Sequence, residues 1–113
     1  KSFSKKNIES IIFTLYELTI FFRKQKDYDS YKQYILRGKL RKKIEIIFNS
    51  DEKYWEELFE IFPETNELNN MDFLTKREKI IYYFILKKDK GNLIYYKKSF
   101  LLLFNLIQKI KGR

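Results

Sequence analysis

The sequence contains no cysteine and no histidine. The first absence excludes a disulfide framework, a thiol nucleophile and a zinc–thiolate site, and the second removes the imidazole base and the commonest transition-metal ligand. Alanine and valine are missing too, proline occurs once, at Pro63, and glycine stands only at positions 38, 91 and 112. Isolated glycines of this kind cannot build a phosphate loop of the Walker or dinucleotide type, and no serine lies in a G-x-S-x-G elbow. Apolar runs are short. The longest, Ile80 to Leu86, falls well below the roughly 18–20 residues of a membrane-spanning helix, so a soluble protein is expected.

What remains is aromatic and basic. The 113 residues include 11 Phe and 9 Tyr, and 24 Lys plus Arg stand against 15 Asp plus Glu, a net charge of +9. A hydrophobic fraction of 44% is that of a globular chain, and this length suits one domain over residues 1–113. Lys, Ile, Phe, Tyr and Asn, all encoded by A/T-rich codons, make up more than half of the chain. An AT-biased genome therefore supplies much of the lysine, and the charge raises nucleic-acid binding without establishing it. Lys1, Lys5 and Lys6 lead into an amphipathic stretch containing Glu9 and Glu17, which does not fit a secretory signal. The one methionine is the internal Met71, so a fragment or a processed product is expected.

Apolar spacing predicts helices. Ile8, Ile11, Ile12, Leu15, Leu18 and Phe22 recur at three and four residues, giving a helix over about 5–25 with Ser4 or Asn7 as N-cap. A second pattern begins after Asp29 or Ser30 and runs through Leu36, Leu40, Ile44, Ile47 and Phe48, with Gly38 expected to break or bend it. Ser50 is expected to cap a third, shorter helix whose apolar face is Trp55, Leu58, Phe59 and Phe62, ended by Pro63. Thr75 and Glu78 match a capping box, opening a helix to about Lys88. After a turn at Lys88–Asn92 a last helix carries Tyr96, Phe100, Leu103, Phe104, Ile107 and Ile110 on one face, with Lys109, Lys111 and Arg113 near its C-terminus. The fold class expected is all-α, a compact bundle of about five helices packed through short connections. The alternative is α+β with a hairpin at 80–97, because β-branched and aromatic runs flank the turn at Gly91.

Charge is segregated along the chain. Residues 51–72 hold eight carboxylates and one lysine, while residues 73–113 hold eleven cations and two carboxylates. Arg37, Lys39, Arg41, Lys42 and Lys43 form the densest basic cluster. On a helix Arg37 and Arg41 stack on one flank of the apolar stripe and Lys39 and Lys43 on the other, a ridge suited to phosphates or, more plainly, a solvated face with Glu45 pairing Arg41. Lys87, Lys88, Lys90, Lys97 and Lys98 converge near Gly91 among Tyr82, Tyr83, Tyr95 and Tyr96, an interleaving that can hold single-stranded nucleic acid, although each tyrosine by itself reads first as core. Trp55 with Glu56, Glu57 and Glu60 is a candidate protein-docking surface, the tryptophan as anchor and the carboxylates outward. Glu52, Glu56 and Glu60, one turn apart, could share a divalent cation, but no further ligands are signalled.

These features lead to a non-enzymatic reading with no cofactor and no metal. The first expectation is an accessory protein binding nucleic acid, DNA or RNA, through backbone phosphates with Arg37, Lys39, Arg41, Lys42, Lys43, Lys87, Lys88, Lys97 and Lys98. The alternative is a protein-interaction module or inhibitor docking through the acidic Trp55 helix or a basic face. Membrane-surface attachment by the last helix ranks third, on the ground that its apolar positions are needed for the bundle.

Overall fold

The computed structural model describes residues 3–68 and 70–112. Among them are five α-helices and no strand: α1 (Lys5–Arg23), α2 (Tyr28–Phe48), α3 (Trp55–Phe59), α4 (Lys76–Leu86) and α5 (Lys90–Lys111). Two 3₁₀ turns, Glu52–Tyr54 and Pro63–Glu67, flank α3. The all-α expectation holds and the hairpin alternative falls, since Ile80–Leu86 and Leu93–Tyr96 are both helical.

Helix α2 is the spine. Leu36, Leu40, Ile44, Ile46, Ile47 and Phe48 are all buried, and α1, α3, α4 and the second 3₁₀ turn pack against it. Gly38 does not break this helix, which runs without interruption from Tyr28 to Phe48. It lies on the solvent side, where an added Cβ would meet nothing within 4 Å, and burial of the opposite face outweighs a propensity cost of about 1 kcal/mol. Trp55, Leu58 and Phe59 of α3 close the core from one side, Ile81, Tyr82 and Ile85 of α4 from another, and Leu93 carries the start of α5 into it.

Local signals set most boundaries. Ser4 caps α1, its Oγ accepting from the Asn7 amide at 3.1 Å. Thr75 and Glu78 form the full reciprocal capping box at the start of α4. Three expectations shift. Ser50 is not a cap: its hydroxyl donates to the Ile47 carbonyl inside the core, and Asp51 caps the following 3₁₀ turn instead. Helix α3 stops at Phe59, ahead of Pro63, because Phe62 takes a left-handed conformation (φ 50°) that turns the chain into the second 3₁₀ turn. The turn between α4 and α5 is tighter than expected. Lys88 is left-handed (φ 53°), and Asp89 caps α5 by accepting from the Asn92 amide at 3.1 Å and its side-chain amide at 2.7 Å. Arg113, expected near the C-terminus of the last helix, lies outside the described residues.

The molecule measures 55 × 30 × 30 Å. Helix α5 leaves the core after Phe100; every residue from Leu101 to Gly112 is exposed.

Candidate interaction surface

The basic cluster on α2 turns inward. Lys39 is 3% exposed, with its ammonium bonded to the Glu64 carboxylate and 5.3 Å from the Phe62 ring centre. Lys43 is buried and donates to the carbonyls of Phe59 and Ile61, both at 2.8 Å. The C-terminal turn of α3 leaves those carbonyls without partners inside the helix, and an ammonium reaching in from α2 supplies the missing donors. Burial pushes the Lys43 pKa below its ordinary value, with Glu60 and Glu64 opposing the shift. Burial alone would raise the Glu64 carboxyl, but Lys39, a backbone hydrogen bond and the Arg23 charge together outweigh it and hold the pKa below its ordinary value. Arg37 is half-buried, its guanidinium 5.7 Å from the Tyr34 ring and 5.5 Å from the Phe73 ring. Its Nε is enclosed with no hydrogen-bond partner among the described residues.

Two of the five face water, and both are paired. Arg41 Nε donates to Glu78 at 3.1 Å, and Lys42 to Glu45 at 2.8 Å. The Arg41–Glu45 pair expected from spacing does not form. No continuous ridge of free cations stands on α2.

The second basic group is spread between interior and surface. Lys97 crosses to donate to the Ser50 carbonyl at 2.9 Å, lies 5.7 Å from the Trp55 ring centre, and has a pKa lowered by burial against the pull of Glu52 and Asp51. Lys88 pairs with Glu60, and Lys90 with Glu56 at 3.6 Å. The Lys88 hydrogen bond holds the Glu60 carboxyl below its ordinary pKa. Lys87 leans over Tyr83 at 5.0 Å, and Lys98 is exposed with no ion-pair partner among the described residues.

Trp55 cannot anchor an outside partner, since it is 0% exposed within the core and tilted against Phe59. Glu56, Glu57 and Glu60 do point outward, but Glu56 and Glu60 meet lysines of the same chain. The acidic segment thus neutralises the α4–α5 junction internally. Among the described residues no three Asp or Glu side chains gather as metal ligation would require.

The largest uncovered feature is apolar. Leu101, Leu102, Leu103, Phe104, Leu106, Ile107 and Ile110 lie on the outer half of α5, with Leu102 73% exposed and Ile110 64%. At 3.6 residues per turn, Phe100 and the exposed residues other than Leu101 sweep an arc of roughly 200° over a length of about 15 Å, and Leu101 lies about 60° beyond its Phe104 edge. Helix α5 carries five lysines and no carboxylate. A smaller exposed apolar set, including Phe13, Tyr16 and Phe21, lies on α1.

At the root of this surface lies a trough. Phe48, Asn49, Arg77, Lys97, Phe100, Leu101 and Phe104 line a cavity of about 240 Å³, and Phe48, Asn49 and Arg77 also border a second of about 370 Å³ between α2 and α4. The Arg77 guanidinium sits 4.6 Å from the Phe48 ring centre and 4.5 Å from that of Phe100, and Phe100 stacks on Phe104 at 6.5 Å. Sequence reasoning missed both the trough and the exposed face. The signal available was the width of the apolar arc, which exceeds the stripe of a helix packed on a single neighbour. No protein-family model matches the chain, and no curated protein and no solved structure matches it either.

Proposed function

We propose that the protein is a non-enzymatic docking module that joins a second polypeptide through the outer half of α5. The observation that carries this reading is the exposure of seven large apolar side chains between Leu101 and Ile110, on a helix segment the core does not use. Monomeric soluble proteins rarely leave so large a contiguous apolar patch in water, and such patches mark interaction sites. The chemistry elsewhere agrees. Lys39 and Lys43 are committed to the interior, and Arg41, Lys42 and Lys88 to carboxylates of the same chain.

The test is a double substitution, Leu103→Asp with Ile107→Asp. The account expects unchanged thermal unfolding, because neither side chain belongs to the core, together with loss of every nuclease-resistant complex. A stable complex that survives the double substitution refutes the proposal.

Nucleic-acid binding is the second reading, supported by the net charge of +9 and by the outward Lys87 and Lys98. It requires affinity for single-stranded DNA or RNA that falls about a thousandfold between 50 and 200 mM salt if some six phosphates are contacted. The docking reading expects only weak, salt-labile retention, unaffected by Leu103→Asp with Ile107→Asp.

A further inference from the structure

Resting on the docking reading, we infer that the partner element is an amphipathic helix bordered by carboxylates, seated along the outer half of α5 with one edge in the trough at Arg77. The trough opens onto the apolar face through Phe100 and Phe104, so one partner element can fill both. Its lining contains two cations, Arg77 and Lys97, and no carboxylate. By helical spacing Lys98 and Lys109 lie about 20° apart beside the Leu102 edge of the arc, Lys97 lies beside its Phe104 edge, and α5 has no acidic residue along its length. A partner that buries its apolar stripe here therefore meets cations on both borders, and carboxylates are what those borders recognise.

Other occupants fit less well. A second copy laid antiparallel on α5 would set Lys97 and Lys98 against Lys109 and Lys111, a like-charge pairing at both ends. A lipid surface is flat and would leave the recess between Phe48, Arg77 and Phe104 unfilled. A nucleic-acid backbone has no use for a face of leucine and isoleucine. An apolar helix presenting side chains at i, i+3, i+4 and i+7 fills a groove of this kind, and the exposed aromatic edge of Phe104 offers it an anchor.

The experiment uses two labelled helical peptides with the same leucine pattern, one flanked by glutamate and the other by lysine. Their binding to the chain is read by fluorescence anisotropy, alongside sedimentation of the chain alone and with anionic phospholipid vesicles. The glutamate peptide is expected to bind about tenfold more tightly at low salt, the combined effect of a few rim charge pairs. Raising the salt should narrow the gap, Arg77→Glu should narrow it without loss of folding, and Leu103→Asp with Ile107→Asp should abolish binding. Equal binding of the two peptides overturns the acidic partner and leaves the docking reading standing. Binding to vesicles but to neither peptide, or concentration-dependent dimerisation that protects Leu101–Ile110, overturns both.

Discussion

On α2, Lys39 and Lys43 are enclosed by the protein and bonded to Glu64 and to two backbone carbonyls, while on α5 Leu102 and Ile110 stand in water. Both helices exceed twenty residues and both mix lysine with large apolar side chains. The difference is in what lies beside them. The second half of α2 is covered by its neighbours, and the end of α3 turns the carbonyls of Phe59 and Ile61 toward it, so even its cations find partners inside. Helix α5 is packed into the core over its first three turns, and beyond Phe100 every described residue is exposed. Burial is decided by the neighbours available, and an uncovered apolar segment is a surface awaiting a partner.

The sharpest way to break this comparison is to truncate one leucine in each region. Leu40, fully buried on α2, should lose about 3–5 kcal/mol on change to alanine, whereas Leu102→Ala should stay within about 0.5 kcal/mol of the parent. Chemical denaturation measures both, and a large loss at Leu102 would mean that the chain already covers it. Next in size is Lys43→Met, which keeps most of the apolar stem but orphans the carbonyls of Phe59 and Ile61. Unpaired buried acceptors cost more than relief of the buried ammonium returns, and a net loss of about 2 kcal/mol is expected.

A smaller effect follows from titration. Lys43 and Lys97 have folded-state pKa values below the ordinary 10.5. Between the folded and unfolded values the unfolded chain binds more protons, so these two groups make stability rise with pH toward 10.5. The lowered carboxyls of Glu64 and Glu78 act at the other end, contributing stability above about 4.5 that is lost as pH falls through their folded values. Thermal unfolding across pH should show both limbs, and Lys43→Met should flatten the alkaline one. The smallest expected change is at Gly38, where alanine meets no atom within 4 Å and should add about 0.5–1 kcal/mol.

Features governed by nearby residues were legible in the sequence. The capping box at Thr75, the Ser4 cap and the apolar stripe of α2 depend on side chains within a few positions, and each formed where its pattern lay. The end of α3 and the destinations of Lys39 and Lys43 depend on where Phe62 turns the chain, since a left-handed bulky residue has no reliable local signature. Trp55 on the apolar face of α3 reads first as core and second as an interface anchor, and its burial agrees with the first; periodicity shows which face is apolar and is silent on what covers it. The same silence hid the site. Phe100, Phe104 and Ile107 form one unbroken helical stripe, yet only its beginning is packed on the core, so the apolar positions beyond Phe100 are not spent on the bundle. Arg77 carried no pattern at all; its place over Phe48 and Phe100 results from the α2–α4–α5 packing.

The most direct test of the account is amide hydrogen exchange along α5 in the isolated, monomeric chain. Leu93 to Phe100 should exchange as slowly as the core allows, and Leu101 to Lys111 should exchange near the rate of an isolated helix of that length, which is marginal in water. Equal protection across the whole helix in a monomer would contradict the account, since the outer half would then be part of the fold and not a surface kept for a partner.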